Sequence, residues 1–257
     1  MPLSASSVKK TLRAKADPKK AAFVAHYFKT GKGEYGEGDI FWGLTVPDQR
    51  VIAKNFRGMA LSEIKKLLLD KVHECRFTAL LILCDNYSRA SKQSDGATIK
   101  AIFDFYMEMA ELGRINNWDL VDTSARDIVG AYLYENRRAE GISFLEKWAK
   151  SLAAKNEVDH IRALWLRRIA IIATHYHIGK GEFEPTLRIS AMLLRDSHDL
   201  IHKACGWMLR EMGKKNTAGL AALHDFLKKY SKTMPRTMLR YAIERLSPAE
   251  RGRYMQK

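Results

Sequence analysis

The stretch Ile115-Asn116-Asn117-Trp118-Asp119-Leu120-Val121-Asp122 decides how the chain reads. Asn116 is expected to cap a helix, with Asp119 three residues later as its acidic partner. Beyond it Leu120, Val121, Ser124, Ile128 and Tyr132 recur at helical spacing and supply a core-facing stripe. Trp118 and Asp122 are four apart, so they share one face about a turn from each other, offset from that stripe. An indole beside a carboxylate at the edge of a buried surface has two readings. One is a half-buried Trp with a solvated Asp, which spacing alone favours; the other is a functional pair.

The rest of the chain is also helical by period, and no segment alternates like a strand. Helices are expected at about Val8–Ala14, Pro18–Phe28, Pro47–Phe56, Ser62–Leu69, Val72–Tyr87 and Gly96–Met109. After the Trp118 helix come Gly141–Leu152, Val158–Tyr176, Pro185–Leu194, His198–Met212, Ala218–Lys229, Pro235–Leu246 and a short Pro248–Met255. Helix pairs recur about every 35 to 45 residues with short links, the rhythm of helical repeats. The expectation is an all-α, helical-repeat superhelix, one domain over residues 1–257, with a curved basic surface instead of a closed pocket.

The charge supports a polyanionic partner. The net charge is +15, and residues 151–257 carry 20 Lys and Arg against 10 Asp and Glu. Nucleic acid comes first and an anionic membrane second. No run approaches the roughly 18 apolar residues of a spanning helix, and no signal core follows Lys9 and Lys10. Cys75, Cys84 and Cys205 form no CxxC pair, which fits a reduced cytoplasm better than a disulfide framework.

Two motifs are decoys. Gly31-Lys-Gly33-Glu-Tyr-Gly36 matches GxGxxG by letter, but it follows a helix, and Glu34, Glu37 and Asp39 would repel phosphates. His198 and His202 are four apart without the glutamate of HExxH, and His175 and His177 have no Cys or second His pair nearby. No metal site and no cofactor are expected.

Two further stretches pair a Trp with an Arg three residues on: Trp165 with Arg168, and Trp207 with Arg210. Gly206 beside Trp207 reads as close helix packing. Each pair alone is better read as a core Trp with a snorkelling Arg. Three Trp-plus-ion pairs in a basic helical repeat are harder to dismiss. In this order they resemble the AlkD family of DNA alkylation-repair glycosylases, which are built from HEAT-like repeats. Trp118-Asp-Leu-Val-Asp122 resembles the family's Trp-Asp-x-Val-Asp motif. Trp165-Leu-Arg-Arg168 resembles Trp-Leu-x-Arg, and the run Lys203 to Glu211 resembles the last motif. Ala25–Phe28 and Gly43–Arg50 match near the N-terminus, while the Gly31–Asp39 loop and the residues around Arg89 to Asp95 depart.

The resemblance implies that Trp118, Asp122, Arg168 and Trp207 form the active face, lined by Tyr27. The implied partner is double-stranded DNA containing alkylated purines, bound by a monomer that needs no metal and no membrane. Cutting an N-glycosidic bond builds positive charge on the sugar. Asp122 would stabilise that charge or activate a water. A cationic purine such as 7-methylguanine or 3-methyladenine leaves as a neutral base, so no general acid is needed. Indoles at Trp118 and Trp207 attract the cation. Arg168 and Arg210 would grip phosphates, with Lys203, Lys214, Arg236 and Arg240 extending the basic surface. No lysine stands out as a Schiff-base nucleophile, so strand cleavage is not expected. The alternative is a non-enzymatic HEAT-like module that binds DNA or RNA by shape and charge.

Overall fold

Helices joined by short links account for most of the described chain. The computed structural model describes residues 2–151 and 157–256, without the side chains at 157–160. Among the described residues there are fifteen α-helices, one π-helical turn, one short 3-10 turn and no strand. A lone parallel bridge pairs Ile40 with Val72. The architecture is the all-α helical-repeat fold that the hydrophobic period predicts. Contacts divide the chain into two compact units, Met1–Ile128 and Val129–Lys257.

The first unit holds α1 (Ala5–Arg13), α2 (Pro18–Tyr27), α3 (Val46–Lys54), α4 (Leu61–Leu68), α5 (His73–Lys92), α6 (Gly96–Glu111) and α7 (Trp118–Ser124). α5 is its axis, with α1, α3, α4, α6 and α7 packed around it. Its first three turns are buried on every side, from His73 through Leu83. A helix apolar on one stripe only could not do this; Cys75, Phe77, Ala79, Leu80, Leu81, Ile82 and Leu83 supply apolar surface all round. Val8 and Leu12 of α1, four apart, are fully buried against it, each contributing on the order of 1.5–3 kcal/mol. Within this unit α2 is the one helix with no buried residue.

The second unit holds α8 (Ala131–Asn136), α9 (Arg138–Ala149), α10 (Glu157–Gly179), α11 (Glu184–Met192), α12 (Asp199–Lys215), α13 (Thr217–Tyr230), α14 (Arg236–Ala242) and α15 (Pro248–Met255). α10 packs on α8, α9, α11 and α12, and α12 packs in turn on α13 and α14. Each helix meets its near neighbours in sequence, as repeat stacking requires. Ile201, Ala204, Cys205, Met208, Leu209 and Met212 form the buried stripe of α12 at helical period. No described helix is long and apolar enough to cross a membrane.

Three expectations change. The helix expected to run on from Asn116 past Tyr132 stops at Ser124, passes through a π-helical turn at Arg126–Gly130, and resumes as α8. The reason lies at Gly130. A Cβ there would sit 2.2 Å from the carbonyl oxygen of Ala173, so α10 approaches too closely for a side chain. A wide turn absorbs the resulting shift of register. α5 continues to Lys92 instead of ending at Tyr87. The residues around Arg89 to Asp95 are thus the end of α5 and the cap of α6, where the Asp95 side chain accepts from the Thr98 amide. α9 runs Arg138–Ala149; its expected end at Leu152 lies outside the described residues.

Gly206 behaves as read from the sequence. A Cβ at Gly206 would lie 2.5 Å from both the Met238 carbonyl oxygen and the Tyr241 Cβ, so α14 rests directly on the α12 backbone. Gly206→Ala forces two packed helices apart and should cost about 1–3 kcal/mol, the usual range for overpacking. Urea denaturation of the variant checks this; unchanged stability would mean the helices are not in contact there.

Candidate functional site

Asn117, not Asn116, caps α7. Its backbone is extended (φ −146°, ψ 157°) and its Oδ1 accepts from the Trp118 amide at 2.8 Å. Asn116 is taken by Arg76, whose Nη1 donates to the Asn116 Oδ1. Asp119 is taken by His73, whose Nε2 stands 2.7 Å from the Asp119 Oδ2. Two adjacent asparagines are equally good caps by residue type. The tertiary partner of one of them decides which serves.

Those contacts belong to a buried ion cluster beneath the first turn of α7. His73 opens α5 and is 3% exposed. Its Nδ1 lies 3.2 Å from the Asp39 Oδ2, and that oxygen also accepts from Arg76 Nη2 at 2.5 Å. Asp39 is delivered by the Ile40–Val72 bridge, in which the His73 amide donates to the Ile40 carbonyl at 2.8 Å. Glu74, the next residue on α5, accepts from the amides of Trp42, Gly43 and Leu44 and ties down the following loop. One turn of α5 therefore organises the loop after α2 and the start of α7 together.

The charges follow from this arrangement. Burial alone would push the His73 imidazole towards its neutral form, but Asp119 and Asp39 outweigh it and raise its pKa to about 9. Burial would likewise raise the Asp39 carboxyl; His73 and Arg76 reverse that and hold it below the usual carboxylate range. His73 is thus a cation at neutral pH, flanked by two carboxylates.

Aromatic rings cover the cluster. Phe41 stacks on His73 at 4.7 Å, and Phe28 lies 4.9 Å from it. Trp118 stacks on Phe28 at 5.0 Å with an interplanar angle of 10°. The Tyr27 ring meets Trp118 edge-on at 5.9 Å. Trp118 is half-buried and Tyr27 is 63% exposed. Asp122, also half-buried, follows Trp118 by four residues on α7 and so lies one turn along the same face. The structure therefore brings Tyr27 and Trp118 together, with Asp122 beside them.

The second unit carries the other expected residues. Trp165 is 1% exposed and belongs to the core of α10. Arg168 is 4% exposed, and its Nη1 donates to the Leu200 carbonyl at 2.5 Å. Arg168 is therefore buried, with part of its guanidinium turned to the backbone of α12. Trp207 is half-buried, with His175 edge-on at 5.9 Å. Arg210 is ion-paired with Glu211 and Glu244. Lys203 pairs with Asp199 at 2.7 Å and Lys214 with Glu211 at 3.5 Å. Arg236 and Arg240 are exposed, and Arg236 donates to the Met255 carbonyl at 3.2 Å.

The decoys resolve as well. The Gly31 amide donates to Glu34 Oε2 at 2.9 Å and the Gly33 amide to Glu37 Oε2 at 2.7 Å, so carboxylates occupy the donors a phosphate would need. His198 caps α12, accepting from the Leu200 amide, and His202 donates to the Asp196 carbonyl at 2.6 Å. Among the described residues no three His, Cys, Asp or Glu side chains converge to hold a metal ion. A cavity of about 410 Å³ in the first unit is lined by Met59, Asn86, Arg89, Thr98 and Ile102, and includes neither Trp118 nor Asp122.

His73 and Arg76, with Asp39 as their partner, are the site-building residues that the sequence does not announce. Their effect on stability is measurable. A raised pKa means the folded chain holds the His73 proton more tightly than the unfolded chain. The resulting stability is fully present below pH 6.5 and is lost as pH rises through about 9. Urea denaturation across that window should show the parent weakening with pH. His73→Gln should start less stable and show a much flatter slope. A parent slope shared by the variant would remove His73 from the cluster.

Similarity to known proteins bears on the family and the fold. The sequence model of a family described as DNA alkylation repair enzyme matches residues 8–246. No curated protein matches the chain. A solved structure described as a predicted DNA alkylation repair enzyme from Enterococcus faecalis superposes with a TM-score of 0.62 at 19% identity, covering 91% of this chain and 97% of that one. At that identity the likeness speaks for the fold alone. The family match spans nearly the whole chain, so the protein is a member of the DNA alkylation repair enzyme family, with a role in alkylation repair.

Proposed function

We propose that the chain is a monofunctional DNA glycosylase that hydrolyses the N-glycosidic bond of cationic alkylated purines, 7-methylguanine and 3-methyladenine, in duplex DNA. It acts as a monomer and without a cofactor. The observation that carries this reading is the pairing of Trp118 and Asp122, one turn apart on α7, above an ion cluster that fixes where that helix begins.

The chemistry asks little more of the protein. As the bond lengthens, positive charge gathers on the deoxyribose. Asp122 stabilises it electrostatically, or orients the water that completes the reaction. The base departs neutral, so the reaction centre requires no acid. The half-exposed face of Trp118 attracts the cationic nucleotide, and Tyr27 lines the approach. The wider basic surface binds phosphates through the exposed Lys214, Arg236 and Arg240 and the partly exposed Lys203. Arg210 joins them by exchanging the half-exposed Glu244 for a phosphate while keeping Glu211. Arg168 ties α10 to α12 through Leu200.

Methylated duplex DNA incubated with the protein should release free 7-methylguanine, read by chromatography. Asp122→Asn keeps the shape and removes the charge. Release should fall by on the order of 10²-fold, the scale of losing one electrostatic stabiliser. DNA affinity should hold or rise, since a carboxylate near phosphates is gone. Release by Asp122→Asn at the parent rate would refute the role of Asp122. A parent that releases no base would leave a non-enzymatic DNA-binding module.

A further inference from the structure

Before Tyr27, the outer face of α2 is left to solvent. None of the helix's residues is buried, and Phe23 is 75% exposed, the most exposed large hydrophobic side chain among the described residues. Lys19, Phe23 and Tyr27 follow one another at intervals of four, so they form one stripe along the exposed side, with His26 beside it. The opposite side, at Ala21, Val24 and Ala25, is the half-buried one. An aromatic ring kept in water gains nothing for folding.

Two observations say what covers it. The first is continuity. Tyr27, at the end of the stripe, meets Trp118 edge-on at 5.9 Å, so the stripe runs directly into the proposed reaction centre. The second is charge. Pro18–Tyr27 contains Lys19, Lys20 and His26 and no acidic residue. The nearby carboxylates are spent locally: Asp17 caps α2 and pairs with Lys20 at 3.3 Å, and Glu34 and Glu37 close on Gly31 and Gly33.

We infer that the exposed stripe of α2 is a second DNA contact, in which Phe23 stacks on a nucleotide unstacked at the damaged site and Lys19 holds a phosphate beside it. It rests on the reading of Trp118 and Asp122 as the reaction centre, and it adds a residue that senses distortion of the duplex instead of the charge of the lesion. Stacking tolerates any base, because every base has an aromatic face. Phe23 therefore contributes most where the helix is already opened and little on intact duplex.

The test measures binding without bond cleavage. The full chain is titrated with two duplexes of the same sequence, one intact and one carrying a tetrahydrofuran abasic analogue. Phe23→Ala should weaken binding to the abasic duplex about 5- to 100-fold, the range of one lost base–aromatic stack. Its affinity for intact duplex should stay within about twofold. Phe23→Trp should keep the abasic preference, which separates stacking from any change in folding. Lys19→Ala should weaken both complexes and reduce the slope of log K against log salt by about 0.9. Phe23→Ala binding both duplexes as the parent does would overturn the inference. So would a change of oligomeric state on a sizing column with DNA affinity unaltered, because the face would then be a protein contact. If the parent releases no methylpurine yet Phe23→Ala still loses the abasic duplex selectively, the glycosylase reading fails and the DNA contact stands.

Discussion

The pairing of a buried His73 cation with Asp39 on one ring nitrogen and Asp119 on the other is the constraint on which the placement of α7 depends. Burying three ionisable groups is costly unless each finds its opposite. Here the imidazolium lies 2.7 Å from one carboxylate and 3.2 Å from the other, and Arg76 adds a second cation to Asp39. The cluster joins the loop after α2, the first turn of α5 and the first turn of α7. Removing one member would strand the others in the interior, at a cost of about 3–5 kcal/mol for a buried pair. That penalty holds α7 in one place. With α7 fixed, Phe28 has a flat partner in Trp118, Tyr27 has an edge to pack on, and Asp122 has a fixed position one turn away.

The two faces of Trp118 have different duties. One lies on Phe28 and is used for folding. The other is the face that the proposed function gives to a cationic nucleotide. The division explains why an indole stands half-exposed at the start of a short helix: a flexible side chain there would lose entropy on binding, and this one is already placed. The second unit uses its charge differently. Arg168 is turned to the backbone at Leu200, whereas Lys214, Arg236 and Arg240 remain at the surface.

How much of this is legible in the sequence depends on whether the determining contact is local. The shared face of Trp118 and Asp122 is legible because one helical turn relates them. Gly206 is legible because a glycine inside an apolar helix needs a close neighbour, and α14 is that neighbour. His73 is not legible. Its partners lie 34 and 46 residues away, and a lone histidine in an apolar stretch carries no periodic mark. The cap of α7 is misread by one residue because Asn116 and Asn117 are equivalent until Arg76 claims the first. The run past Ser124 looks like continuous helix, since the turn at Arg126–Gly130 is imposed by α10 reaching Gly130 across 43 residues of chain, at Ala173. Arg168 keeps its motif spacing whether its guanidinium faces water or Leu200, so spacing alone cannot assign it to a phosphate.

The protonation state of His73 is the most direct measure of whether this cluster exists. Nitrogen-15 NMR of the imidazole distinguishes a ring carrying both protons from either neutral form. In the folded chain His73 should carry both protons at pH 7.5 and titrate near pH 9, with Asp39→Asn or Asp119→Asn moving the transition to lower pH. A neutral ring at pH 7.5 that titrates at or below the ordinary value of 6.5 would contradict the buried ion cluster and, with it, the fixed placement of Trp118 and Asp122.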